Sequence, residues 1–244
     1  MRMHRLVDMS HPLEIRELAG RDDMEALLTC FDRVWDLAPH ARPMSTDVLL
    51  ALVHAGNPVL GAFHGHDMVG ASVAMAGVRP DGSAVLHSHM TGVVPALQHM
   101  SVGRRLKLAQ RDWARAHKVR FIEWTFDPLV RRNGWFNLMV LGATAPEYLI
   151  DFYGPLADGI NAGDETDRLV AVWEVDAPAV AYTAGSHDVL VPTPEDIVAI
   201  RRSDPSMAHR WRLEVRGAMA PRLADGWAVV ALTSSGEYVL RPGR

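Results

Sequence analysis

A strand that closes on a proline and reopens, after a few small residues, as a long helix constrains this chain more than any other feature. The stretch is Val93-Val94-Pro95-Ala96-Leu97-Gln98-His99-Met100-Ser101-Val102-Gly103-Arg104-Arg105-Leu106. Pro95 cannot donate to a sheet ladder, so a strand ending there peels from its neighbour and frees backbone groups for an amide-rich ligand arm. The first N–H groups of the following helix have no acceptor inside it. The helix dipole adds about half a positive charge at that end. A diphosphate fits there when no bulky side chain blocks the backbone. Ser101 and Gly103 keep the approach open, and Arg104 and Arg105 bring further charge.

Around this turn the hydrophobic pattern alternates between the two basic periods. Glu14–Ala19 reads as a short strand. Met24, Leu27, Leu28, Phe31, Val34 and Trp35 recur at helical spacing, so residues 23–36 read as an amphipathic helix, with a second over 45–55. Val59–Phe63 and Met68–Val78 flank a polar turn and read as a hairpin with His64 and His66 at its exposed tip. Ala84–Val94 resumes as a strand. Gln98–His117 reads as a long helix with Val102, Leu106, Ala109, Trp113 and Ala116 on its buried face. Arg120–Phe126 is a strand, Arg131–Leu141 a helix stopped by Gly142, and Glu147–Phe152 and Arg168–Val175 two more strands. The order β, α, α, β, β, β, α, β, α, β, β predicts an α/β (α+β) layered sheet with helices on its faces.

Length allows more than this one unit. The chain has 244 residues, and a domain of about 150 leaves room for an appendage. Residues 14–176 are expected to form the main domain. Residues 177–193, with Pro178, Gly185 and Pro192, read as a linker. Residues 194–244 read as a C-terminal extension of two helices and a β-hairpin. The net charge of −4 is spread along the chain, which argues against a nucleic-acid partner. No run of about 18 apolar residues is present, so no membrane span is expected. The N-terminal residues lack the long apolar run of a signal peptide, and the cytoplasm is the default. Cys30, the one cysteine, falls in the periodic stretch and reads as a core residue.

Strand, proline, Gln98-x-x-Ser101-x-Gly103 and long helix together resemble the acetyl-coenzyme A turn of the GNAT N-acetyltransferase superfamily, whose usual pattern is Gln/Arg-x-x-Gly-x-Gly/Ala. Leu141-Gly142-Ala143 stands where the superfamily often has Leu-Gly-Phe. More narrowly, the chain resembles a group known as predicted GNAT acetyltransferases. The pieces are His87-Ser88-His89-Met90, Leu106-Lys107-x-x-Gln110-Arg111, Trp124-Thr125-Phe126-Asp127-Pro128-Leu129, Asn133-x-x-Phe136-Asn137, Asp151-Phe152-Tyr153-Gly154 and Thr166-Asp167-Arg168-Leu169. The resemblance implies a mostly antiparallel sheet flanked by helices. It also implies acetyl-coenzyme A, or another acyl-coenzyme A, as co-substrate, and an amine-bearing small molecule as acceptor. Val93, Val94, Gln98, His99, Met100, Ser101, Val102, Gly103, Arg104 and Arg105 would hold the cofactor, with a backbone N–H near Val93 polarising the thioester. Asn133 and Asn137 would bond its pantetheine arm. Two departures count. Ser101 replaces a usual glycine, and Leu138 stands where many members carry the tyrosine that protonates the leaving thiolate.

Transfer to an amine needs a base, charge stabilisation and a leaving thiolate. His87 and His89 alternate with Ser88 and so share a strand face, and histidine titrates near neutrality. Either could be the base. Equally, both could be hydrogen-bonded sheet residues, or metal ligands lacking a third partner; no metal is expected. Tyr153 and Tyr148 are candidate acids, though Tyr153 could simply pack at a strand end, and the two asparagines could be helix-surface residues. Asp127 before Pro128 reads as a strand terminator. Arg201, Arg202, Arg210, Arg212, Arg216 and Arg222 read as a solvated helix face. The C-terminal extension could cover the acceptor site or form a homodimer interface. No Walker loop, Gly-x-Ser-x-Gly elbow or paired-cysteine zinc spacing is present.

Overall fold

Met24, Leu27, Leu28 and Phe31 are all buried, and their spacing winds Gly20–Trp35 into helix α1. In this computed structural model, residues 11–37, 42–154, 164–177 and 182–243 are described. The first ten residues and Pro178 of the expected linker lie outside them. Contacts divide the chain into two units, up to Arg120 and from Phe121.

In the first unit, β1 (Leu13–Glu17), β2 (Val59–His64), β3 (Asp67–Val78) and β4 (Ala84–Val93) pair in that order, all antiparallel. Small residues let helices approach both faces. A Cβ on Gly92 would meet Val34 and Trp35 of α1, and one on Gly70, whose cross-strand partner is Val93, would meet Val102 and Leu106 of α3 (Val102–Ala116). Helix α2 (Thr46–His54) packs against α1. The core runs through Met24, Leu27, Phe31, Val69, Val73 and Leu106. Cys30 belongs to it, and burial pushes its thiol up to about 12. His64 departs from expectation: it is 6% exposed, with Nδ1 2.9 Å from the His11 carbonyl oxygen.

In the second unit, β5 (Phe121–Phe126), β7 (Arg168–Glu174), β6 (Thr144–Leu149), β9 (Trp227–Leu232), β10 (Glu237–Pro242) and β8 (Val189–Pro192) follow one another through antiparallel pairs. Strand β8 falls inside the stretch read as linker. Helix α4 (Arg131–Trp135) widens over Phe136–Val140, where the Leu141 N–H reaches the Phe136 carbonyl five residues back at 3.0 Å. Gly142, at φ 77°, then ends it. Helices α5 (Ile197–Ser203) and α6 (Pro205–Ala224) are each capped by an aspartate, Asp196 and Asp204.

The arginines of α5 and α6 overturn the solvated-face reading. Arg212 and Arg201 are buried. Arg212 donates to Asp127 at 2.9 Å and to Asp164 at 2.9 Å, and Arg201 donates to the same carboxylates at 2.6 and 2.7 Å. Arg216 pairs with Glu165 and Asp167. Asp127 is therefore the centre of a buried ion network as well as a strand terminator: β5 stops at Phe126, and Asp127 Oδ1 accepts from the Leu129 N–H at 2.9 Å. Arg202 and Arg210 do lie exposed.

Candidate functional site

Strand β4 carries the first unit's site, and its register is broken there. Val73 faces Met90 and Ala74 faces Ser88, which leaves His89 as the extra residue of a β-bulge. The His87 and His89 rings lie 5.9 Å apart, tilted by 40°. His89 stands in the wall of a cavity of about 740 Å³ together with Arg21, Glu25, Arg42, Thr46 and Asp47. His89 is an exposed residue, yet desolvation of its ring by the surrounding protein disfavours the imidazolium and lowers its pKa. A neutral imidazole at pH 7 is what a proton acceptor needs.

The cavity is charged on both signs. Arg42 grips Asp32 with Nη2 at 2.6 Å, tying the segment before α2 to α1. Thr46 Oγ1 donates to Glu25 at 2.6 Å. Arg21, with a side chain 69% exposed, meets Glu25 only at 3.7 Å, which leaves its guanidinium available to a ligand.

At its far end β4 runs into the turn. The Val94 N–H still bonds to Val69 O at 2.9 Å. Alternation along the strand therefore points the Val93 N–H away from β3. Pro95–Leu97 makes one tight turn, and α3 begins only at Val102, later than the expected Gln98. The side chain of Gln98 bends inward to the Val93 carbonyl at 3.3 Å, so it braces the turn. His99, Met100, Arg104 and Arg105 are exposed. No side chain caps α3. Its first hydrogen bond runs from Arg105 N to Ser101 O at 3.0 Å, and the N–H groups of Val102, Gly103 and Arg104 meet no acceptor among the described residues. A Cβ on Gly103 would touch only Val93, at 3.7 Å. Open amides, a positive dipole end and two exposed arginines suit a diphosphate.

Ser101 occupies the left-handed region, with φ 58° and ψ 13°. Glycine is free there and serine is not. Ser101→Gly is expected to raise unfolding stability by roughly 0.5–1 kcal/mol, the relieved strain less glycine's extra chain entropy; urea denaturation checks it. Gly103→Asp places a carboxylate at the open amides without a clash. It should leave stability unchanged or slightly higher, while calorimetry shows coenzyme A affinity falling on the order of 10- to 100-fold.

The remaining candidates lie in the second unit. Asn133 is exposed on α4, whereas Asn137 is 4% exposed. Leu138 is core. Tyr153 is partly exposed and its hydroxyl lies 2.9 Å from Thr125 Oγ1. Tyr148 is unsuited to proton donation. Burial and its bond to Asp167 at 2.6 Å raise its phenol well above the ordinary value.

Sequence reasoning missed a buried polar cluster on the face of α3. The buried stripe is Val102, Leu106, Lys107, Gln110 and Ala114, while Ala116 is exposed and the half-buried Trp113 stacks on His117. Lys107 Nζ donates to Ser88 Oγ at 2.7 Å, and Ser88 Oγ donates to Gln110 Oε1 at 2.9 Å. Burial pushes the Lys107 ammonium down to about 7. The signal lay in a lysine one residue after an apolar helix position, with a glutamine three residues on.

No protein-family model and no curated protein matches the chain. Solved structures do. An acetyltransferase of the GNAT family from Streptococcus pneumoniae matches at TM-score 0.51 and 15% identity, covering 67% of this chain and 99% of that one. Naa20 of Chaetomium thermophilum, in complex with a bisubstrate analogue, matches at TM-score 0.53 and 17% identity, over 71% and 95%. Naa50 of Arabidopsis thaliana, in complex with the bisubstrate analogue CoA-Ac-MVNAL, matches at 0.50 and 15%, over 66% and 97%. The chain has the GNAT fold, as the turn at Gln98–Gly103 led us to expect. Among the described residues no helix is long and apolar enough to cross a membrane, and no group of three or more His, Cys, Asp or Glu side chains is arranged to hold a metal.

Proposed function

We propose that this chain is a GNAT-family N-acyltransferase that takes an acyl group, acetyl in the first instance, from acyl-coenzyme A to an amine of a small molecule. One observation carries the reading: the unpaired amides of Val102–Arg104 at the start of α3, directly beyond a strand that closes on proline. The solved relatives bound to coenzyme A-containing analogues support it.

Acyl-coenzyme A supplies an activated carbonyl and a thiolate leaving group. The chain's residues do the rest. The amides of Val102–Arg104, with Arg104 and Arg105, hold the diphosphate. The Val93 N–H, turned away from β3, polarises the thioester carbonyl. The acceptor enters the cavity beside His89, with Arg21 open to an acidic substituent on it. As the amine nitrogen bonds to the carbonyl carbon, His89, assisted by the neighbouring His87, takes the ammonium proton. As the C–S bond breaks, coenzyme A leaves as its thiolate.

The experiment has two arms. Calorimetry should show coenzyme A binding, and thiol release should follow when acetyl-coenzyme A is offered with a panel of small amines. No heat of binding would remove the reading. Tight binding with no release for any amine would favour the alternative, a non-catalytic acyl-coenzyme A sensor. Leu138 in place of the usual tyrosine, and a Tyr148 committed to Asp167, favour that alternative.

A further inference from the structure

Ser88 sits immediately before the bulge residue His89 but faces the opposite side of the sheet. His89 lines the cavity on the α1 and α2 side, whereas Ser88 points to α3 and is held there by Lys107 and Gln110. Lys107 is 4% exposed and lies a little over one turn into the helix whose start forms the anion cradle. One side chain thus joins that helix to the bulge.

Polar groups crowd this spot beyond what stability asks for. Ser72 Oγ, Thr91 Oγ1 and Gln110 Nε2 are buried without a partner among the described residues. Ser72 and Thr91 are direct cross-strand neighbours, and Thr91 lies two residues past the bulge. A buried, half-satisfied network is less stable than an apolar core of the same volume. Local rules broken in this way are expected where function sets the constraint.

We propose that Lys107 is a positioning residue for the transfer site: by gripping Ser88 it fixes the β4 bulge, and so sets the orientation and surroundings of the His89 imidazole. The role rests on the acyltransferase reading, because His89 matters to catalysis only there. Without the grip, the bulge can shift along β4 and His89 swings relative to the groups that face it, namely Arg21, Glu25, Arg42 and Asp47 across the cavity and His87 on its own strand.

The test follows the His89 imidazole by NMR titration of the full chain, assigned with a His89→Gln variant. Lys107→Met keeps the stem and removes the amine; Ser88→Ala removes one hydroxyl, and reports even if the lysine variant folds poorly. Each is expected to move the His89 titration midpoint by on the order of half a pH unit. The double variant should move it no further, because both act through one bond. Coenzyme A affinity by calorimetry should stay within about twofold, since the cradle is untouched. An unmoved His89 midpoint in both variants, with only a lower Tm, would overturn the proposal and leave Lys107 a packing residue. Movement of His89 in a protein whose wild type binds no coenzyme A would uphold the positioning and refute the acyltransferase reading instead.

Discussion

Arg212→Ala is expected to cost about 3–5 kcal/mol of unfolding stability, because it strips a partner from two buried carboxylates at once. Asp127 and Asp164 would keep their ion pairs with Arg201. For a chain of this size the change corresponds to a Tm lower by on the order of 10 °C, read by calorimetry or circular dichroism. Arg202→Ala, on the exposed side of α5, should shift stability by no more than about 0.5 kcal/mol. Equal effects at the two positions would mean the network contributes nothing special.

The same network fixes a pH response. Burial alone would raise the Asp127 carboxyl, but the Arg212 and Arg201 guanidiniums outweigh it and hold it below the ordinary range. Asp167 is likewise held low, by Arg216 and Tyr148, against burial. Both groups are thus depressed in the folded state. Their contribution is complete above the unfolded carboxylate value of about 4 and disappears as pH falls through the folded values. Acid unfolding of the wild type should therefore set in below about pH 4, and Arg212→Ala should move it upward.

His89→Ala is expected to lower kcat by roughly 10²–10³ while coenzyme A affinity stays within about twofold. His89 is the bulge residue, it lines the cavity, and its neutral form is favoured by its surroundings. His87 shares the face without appearing in the cavity wall, so His87→Ala should have the smaller effect, about tenfold. In the wild type, kcat/KM should rise with pH through an apparent value below 6.5 and then level off. Full turnover in the double alanine variant would assign proton removal to another group.

The turn was legible because its constraints are local. Pro95, Ser101 and Gly103 act on their own backbone, and no distant partner is needed to read them. What lay beyond the sequence was everything set by long-range pairing. The start of α3 moved from Gln98 to Val102 because Pro95–Leu97 coils separately and Ser101 turns left-handed. The bulge at His89 depends on which β3 residue faces which β4 residue, and alternation alone does not encode that. The α5 and α6 arginines look like any solvated helix face until Asp127, Asp164 and Asp167 are brought beside them. Strand β8 hid among prolines because its four residues gain their identity only from β10.

Asp127 and Arg212 are 85 residues apart in the chain. On a ribosome adding about 5–20 residues per second, the aspartate waits on the order of 4 to 17 seconds for its guanidinium to be made. Throughout that interval the nascent chain carries carboxylates destined for a dry interior, and they must stay in water. The second unit therefore cannot complete this network before α6 emerges, and until then its apolar strands stand exposed to aggregation.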